Sequence, residues 1–381
     1  MKTVIVITYY AGANYGAYWQ AYAIGRYLKK CGYQVLYLKD TQMENQLNVY
    51  SNLYEKSIKE SLKVAIYNSF DITETSRKYD VAVLGSDEIW NRESSIKKYR
   101  KQYWGKGINS VKKISYAACA INISSKRLLL KYNDLKRIDS ISVRDEISRQ
   151  NIQKVLHKKR VKIVIDPVFL ITYDFVEENI INSPYIFVYS YGVSNKQKDI
   201  ICENARALNA KIVVAGCQAE WADYNFSGNP IEWLACFKYA EYIYTTTFHG
   251  TAFSIIFKKE FSLLGSNRKA ICLLQDLGLL INEDSSQYNV VATDYREILK
   301  HQRQLIGQSV QFIGDSIDVD TPSLAKPKQR CSGCSACEAI CPVTAIVMAR
   351  DDEGFLYPSI NADKCIRCGK CVSSCPLMKD N

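Results

Sequence analysis

Thr3-Val4-Ile5-Val6-Ile7-Thr8-Tyr9-Tyr10-Ala11-Gly12-Ala13-Asn14-Tyr15-Gly16 opens the chain with a β-branched run and a glycine turn, and an amphipathic stretch then continues to Lys30. β-Branched residues fit a pleated, buried surface, while apolar residues at helical spacing bury one stripe of a helix. The unit therefore reads as a strand at Val4 to Thr8 and a helix at Tyr15 to Lys30. The pattern repeats, predicting strands at Gln34 to Leu38, Asp80 to Leu84, Lys112 to Ala117, Ser140 to Val143 and Val161 to Ile165. A second series is predicted from Tyr185 to Ser190, with a helix ending at Leu208 and strands at Lys211 to Ala215 and Tyr242 to Thr245. A helix from about Thr251 and a strand at Phe261 to Leu264 complete it. Uninterrupted strand–helix alternation implies parallel sheets with helices on both faces, so the body is an α/β protein in two halves.

The chain of 381 residues is too long for one ordinary domain. The expected division is a first α/β domain over 1–170, a second over 171–320, a linker over 321–329 and a small cysteine-rich domain over 330–381. Asp166 to Ser183 is the expected hinge, and two prolines, Pro322 and Pro327, suggest a short, stiff spacer. No apolar run reaches the roughly eighteen residues of a membrane helix. The first residues read as a strand, not a signal peptide, so the expected location is the cytoplasm. Net charge is +11. From Arg330 onward six Lys/Arg balance six Asp/Glu, so the excess lies in the first 329 residues. A basic body suits anionic substrates, an acidic polymer or a membrane surface, leaving peripheral membrane contact open. The densest basic stretch, Lys97 to Lys106, is accompanied by no nucleic-acid-binding motif, and nucleic acid is not an expected partner.

Eight of the 14 cysteines form two copies of one string, Cys331-x2-Cys334-x2-Cys337-x3-Cys341-Pro342 and Cys365-x2-Cys368-x2-Cys371-x3-Cys375-Pro376. A zinc ribbon closes one tetrahedral site with two CxxC pairs, whereas each run here offers three close thiolates and a distant fourth. Residues 331 to 376 resemble bacterial two-cluster ferredoxins, in which the fourth cysteine of each run ligates the other cluster. The resemblance implies two [4Fe–4S] clusters, one on Cys331, Cys334, Cys337 and Cys375, the other on Cys365, Cys368, Cys371 and Cys341. Between the runs, Ala345 to Tyr357 reads as a hairpin turning at Asp351-Asp352-Glu353-Gly354, with Ile346, Val347, Phe355 and Ile360 to shield the clusters. The other six cysteines, Cys31, Cys119, Cys202, Cys217, Cys236 and Cys272, read as small buried hydrophobes in a reducing compartment.

Ligands of parallel α/β sheets bind at the carboxyl ends of the strands, where helix N-termini and glycine turns present N–H groups. Three loops stand there: Tyr9 to Gly16, Gly85-Ser86-Asp87-Glu88-Ile89-Trp90-Asn91, and Thr245-Thr246-Thr247-Phe248-His249-Gly250-Thr251. The first lacks the GxGxxG spacing of a dinucleotide site. Of the three histidines, His249 sits among hydroxyls at a strand-to-helix turn, where an imidazole serves as acid or base, whereas His157 and His301 lie in polar helical surroundings.

Asn14-Tyr15-Gly16-Ala17 with Gln20-Ala21-Tyr22, Gly85 to Asn91, Ser142-Val143-Arg144-Asp145 with Ser148, Asp166-Pro167-Val168-Phe169-Leu170, and Phe248 to Ser254 together resemble the polysaccharide pyruvyltransferase family. The likeness runs over roughly residues 1–265. It implies two Rossmann-like domains in a glycosyltransferase-B-like arrangement, and transfer of a pyruvyl ketal from phosphoenolpyruvate to a glycan or lipid-linked sugar acceptor. By the same resemblance His249 is the acid/base, Arg144 grips carboxylate or phosphate, and Asp87 and Asp166 orient hydroxyls or a partner side chain. Asn14, Tyr15, Gly16, Ser86, Thr247 and Gly250 are the expected substrate-binding residues. Many members carry Arg-Leu just before the His-Gly, where this chain has Thr247-Phe248. Arg144, Arg268 or a lysine would then hold the donor's anion, or the donor differs. In this reading the clusters are a fused electron-transfer or sensing module. Two other readings stay open: an electron-transfer protein or oxidoreductase subunit that exchanges electrons with a reductase or other redox partner, and a nucleotide-sugar glycosyltransferase.

Overall fold

The computed structural model describes residues 1–39, 45, 47–74, 77–91, 101–157, 159–279, 287–290, 295–317, 324, 331–361, 364–365 and 370–378. The expected linker lies outside these residues except for Leu324, as do Cys368 and the Lys97 to Arg100 part of the basic stretch.

The first sheet is fully parallel, with seven strands in the order β3-β2-β1-β4-β5-β6-β7. Its members are β1 (Thr3–Ile7), β2 (Gln34–Leu38), β3 (Ile72–Thr73), β4 (Tyr79–Leu84), β5 (Ser110–Ala118), β6 (Ser140–Val143) and β7 (Val161–Ile163). Val4, Ile5 and Val6 are all fully buried, because helices cover both faces and a parallel strand needs apolar residues on each. The second sheet runs β10-β9-β8-β11-β12-β13. It comprises β8 (Tyr185–Tyr189), β9 (Lys211–Ala215), β10 (Tyr224–Asn225), β11 (Tyr242–Thr245), β12 (Phe261–Leu264) and β13 (Gln287–Val290). Only β13 is antiparallel, paired to β12 at the edge. Both halves are thus Rossmann-like, joined in a glycosyltransferase-B-like arrangement, and most expected strands fall within a residue or two of their places. Among the described residues no helix is long and apolar enough to cross a membrane.

Aromatic packing joins the halves. Tyr15, on helix Tyr15–Lys30, stacks on Trp233 of the second half with centroids 5.3 Å apart, and its hydroxyl donates to the Gly228 carbonyl at 2.7 Å. Trp19 donates to the Pro230 carbonyl at 3.2 Å and lies edge-on to Phe253. Burying each such ring contributes roughly 2–3 kcal/mol, so this seam is part of the core and not a loose contact. The long helix Tyr295–Ile317 then returns to the first sheet: Ser309 Oγ accepts from the Ile165 amide at 2.8 Å, and Tyr33 donates to the Ile317 carbonyl at 2.7 Å. Its other end stays with the second half, where Tyr295 donates to the Lys259 carbonyl.

The cysteine-rich region forms a hairpin of β14 (Ile346–Arg350) and β15 (Leu356–Ile360). The turn falls at Asp351 to Gly354, as the sequence suggests, with Gly354 at φ 85 and the Asp351 amide donating to the Phe355 carbonyl.

Candidate functional site

Five strand ends and the turns after them converge between the halves. After β1, Asn14 caps the first helix by accepting from the Ala17 amide at 3.0 Å, which fixes Gly16 in its first turn. After β4, Gly85 has φ 114, and a β-carbon there would overlap the Tyr116 carbonyl. Asp87 follows with φ 67, a left-handed conformation rare for residues other than glycine. It is held by backbone contact: the Cys119 amide donates to the Asp87 carbonyl at 2.9 Å. After β6 comes Arg144, and Asp145 then caps helix Glu146–Gln153 through the Ser148 amide at 2.7 Å. Asp166 follows β7. After β11, Thr247 caps helix Phe248–Ile256 by accepting from the Gly250 amide at 2.9 Å. The helix expected from about Thr251 therefore starts three residues earlier, and His249 lies in its first turn.

These turns gather one charged cluster. Arg144 Nη1 donates to Asp166 Oδ2 at 2.8 Å, and Nη2 lies 3.8 Å from Asp87 Oδ1. Its guanidinium stacks 3.9 Å from the Phe248 ring centroid. His249 Nε2 is 3.9 Å from the same Asp166 oxygen. Asp166 is fully buried, and its other oxygen accepts from the Val168 amide at 3.2 Å. It therefore serves as both a cap and the anchor of the arginine. Burial works against charge on Arg144, but Asp166 and Asp87 more than offset it, and the guanidinium stays protonated. Burial dominates at His249, lowering its pKa below the ordinary value despite Asp166 and Asp87, so the ring is neutral at pH 7. Arg144 Nε and Nη2 and His249 Nε2 are buried without a hydrogen-bond partner. Such groups cost about 1–3 kcal/mol each, which a ligand accepting from the guanidinium and donating to the imidazole would relieve.

The remaining expected residues divide into two groups. A β-carbon on Gly16 would overlap the His249 ring, so this glycine lets the first helix close over the imidazole. A β-carbon on Gly250 would overlap Thr245 Oγ1, whose hydroxyl donates to the Tyr189 carbonyl at 2.8 Å. Gly16, Thr247 and Gly250 thus shape the surroundings of His249. Ser86 is fully buried and donates to Gln20, and the Tyr15 hydroxyl is engaged by Gly228. Both hydroxyls are thus engaged in the packing that supports the loops.

Sequence reasoning missed three contributors from the second half. Phe248 supplies the face on which Arg144 rests. Lys269, next to Arg268, pairs with Glu88 across the cleft. Asp276 shares a small cavity with Arg144, Asp166 and Lys269, and burial together with Asp145 and Glu146 raises its pKa to about 6. Lys269 and Asp276 lie on helix Arg268–Asp276, whose ordinary amphipathic pattern carries no signal of a site.

The cysteine module has the donor chemistry of an iron–sulfur site. The Ala345 amide donates to Cys341 Sγ at 3.2 Å, and the Ala336 amide donates to the Cys334 sulfur. Cys337 and Cys371 are buried together with Ile346. Amide donors to sulfur and an apolar shell both tune cluster potential. Among the described residues no three such side chains converge on a single metal ion. In a cube each thiolate bonds a different iron.

The sequence profile described as polysaccharide pyruvyl transferase matches residues 14–268, and that of a 4Fe-4S dicluster domain matches residues 330–378. Over 46 residues the chain is 44% identical to one component of the Na(+)-translocating ferredoxin:NAD(+) oxidoreductase complex of Acetobacterium woodii. That match covers 12% of this chain and 13% of the relative, so it spans only a small part of either. Solved structures of similar fold include the UDP-GlcNAc 2-epimerase of Methanocaldococcus jannaschii, with TM-score 0.44 and 13% identity over 80% of this chain and 93% of that one. Another is S. aureus MnaA, with TM-score 0.46 and 9% identity over 85% and 99%.

Proposed function

Because the chain belongs to the polysaccharide pyruvyl transferase family and carries a 4Fe-4S dicluster domain, we propose that its cleft transfers the pyruvyl group of phosphoenolpyruvate, as a cyclic ketal, to two hydroxyls of a glycan precursor. The observation that carries this reading is the buried Arg144 guanidinium, with two donors unpaired, beside a neutral His249 with Nε2 unpaired. A guanidinium is matched to a carboxylate or phosphate, and the donor has both. Asp166 and Asp87 fix its plane, leaving Nε and Nη2 to the ligand.

His249 receives a proton from an attacking hydroxyl, and Asp166, 3.9 Å away, stabilises the imidazolium. Over the reaction one hydroxyl proton ends on the new methyl carbon and the other on the released phosphate. The balance needs no oxidant, so the clusters enter no step of the transfer. For the iron–sulfur domain we propose two [4Fe–4S] clusters that exchange single electrons with a redox partner, a reading supported by the ferredoxin:NAD(+) oxidoreductase relative.

The test uses protein purified without oxygen, incubated with phosphoenolpyruvate and nucleotide- and lipid-linked sugars, with phosphate followed at both cluster redox states. Release is expected, and His249→Asn is expected to slow it at least about a hundredfold. No release from the folded protein, or release untouched by His249→Asn, would sink the proposal.

A further inference from the structure

One flank of the first sheet carries the short helices Ser125–Leu130 and Tyr132–Lys136, and these leave more apolar side chain in solvent than the fold requires. Leu128 and Leu135 are fully buried, which satisfies the sheet below. Leu129 and Leu130, however, are 60% and 82% exposed, and Tyr132 is 39% exposed. Isolated exposed leucines are ordinary, but two adjacent ones and a tyrosine two residues on make an apolar strip of sequence interrupted only by Lys131.

Cations border that strip. Lys126 lies one turn before Leu129 and Leu130, while Lys136 and Arg137 lie beyond Tyr132, and all three are exposed. Lys131 sits 5.5 Å from the Trp104 ring, which ties in the segment of exposed Lys101 and Lys106. Across 124–137 there are five Lys/Arg and one acid, Asp134, paired with Lys131 at 3.6 Å.

We infer that this flank is a docking face for the surface of an anionic lipid bilayer. The leucines and Tyr132 enter the boundary between headgroups and acyl chains, and the surrounding cations meet the phosphates. Charge complementarity selects an anionic partner, and the apolar strip selects among anionic partners. A nucleic acid would pair with the lysines but give the leucines no apolar phase to enter. Trp104 also stacks on Trp90, with centroids 5.5 Å apart, so the face is braced against the loop that carries Asp87. The docking requires no particular reaction in the cleft.

The experiment is co-sedimentation of the full chain, clusters assembled, with vesicles of phosphatidylcholine alone or mixed with phosphatidylglycerol. Binding is expected only to the mixed vesicles, weakening as salt rises. Leu129→Ser/Leu130→Ser and, separately, Lys126→Glu/Lys136→Glu are each expected to weaken it at least about tenfold. These side chains are largely in solvent, and circular dichroism would verify that both variants fold. Absence of binding, equal binding to both vesicle types, binding unchanged in the leucine variant, or displacement of the vesicles by RNA would each overturn the inference.

Discussion

At the scale of single residues, the site depends on where protons and charges are held. Arg144→Lys keeps a positive charge but loses the planar fork that spans Asp166 and a ligand, and turnover is expected to fall at least about a hundredfold, read from initial rates. Asp276 gives a cleaner thermodynamic case. Its folded pKa, about 6, lies above the ordinary 3.8, so the stability tied to its protonated form is full below pH 3.8 and lost as pH rises through 6. Asp276→Asn should therefore stabilise the protein by up to about 3 kcal/mol above pH 6 and by almost nothing near pH 3.8, measured by urea melts across pH. His249 acts in the opposite sense. Its lowered pKa gives stability present above the ordinary 6.5 and lost as pH falls toward the folded value. His249 stood out in the sequence by its place among hydroxyls at a strand-to-helix turn, whereas Arg144 and Asp87 were singled out only through the family resemblance. Asp276 and Lys269 were hidden because only the fold brings their helix to Arg144.

At the scale of elements, strands were legible wherever a β-branched run was flanked by polar residues, since a strand covered on both faces has little compositional freedom. The start of helix Phe248–Ile256 was not. Three threonines before it read as strand or turn, whereas the Thr247 hydroxyl in fact caps the Gly250 amide and draws Phe248 and His249 into the helix. Strands β3 and β10, two residues each, are too short for any period to reveal. The first helix offers a test with two opposed effects. Alanine is favoured over glycine inside a helix by about 1 kcal/mol, yet a methyl at position 16 overlaps the His249 ring. Gly16→Ala is expected to lower turnover more than tenfold and to destabilise the protein by about 1–2 kcal/mol, because the overlap reaches His249 Cβ as well as the ring and outweighs the helix gain. An unchanged rate would show that the ring position is irrelevant to the chemistry.

At the scale of the whole molecule, the return of helix Tyr295–Ile317 to the first sheet was invisible to local pattern, because the contacts that direct it, Ile165 to Ser309 and Tyr33 to Ile317, join distant parts of the chain. The cysteine module was legible, since its ligand spacing is fixed by metal chemistry more than by packing. So small a unit depends on its metal for folding. Anaerobic removal of iron is expected to abolish hydrogen-exchange protection over the β14–β15 hairpin while leaving the two α/β sheets protected. Iron analysis is expected to give about eight atoms per chain, with Cys341→Ser and Cys375→Ser disturbing different clusters. The closeness of Gly16 to His249 reaches further than either half. One position lies near the start of the chain and the other more than two hundred residues on, yet they occupy a single shared space. A lineage that enlarges one must reshape the other in step, so the two halves can be inherited, recombined or grafted only as a matched pair.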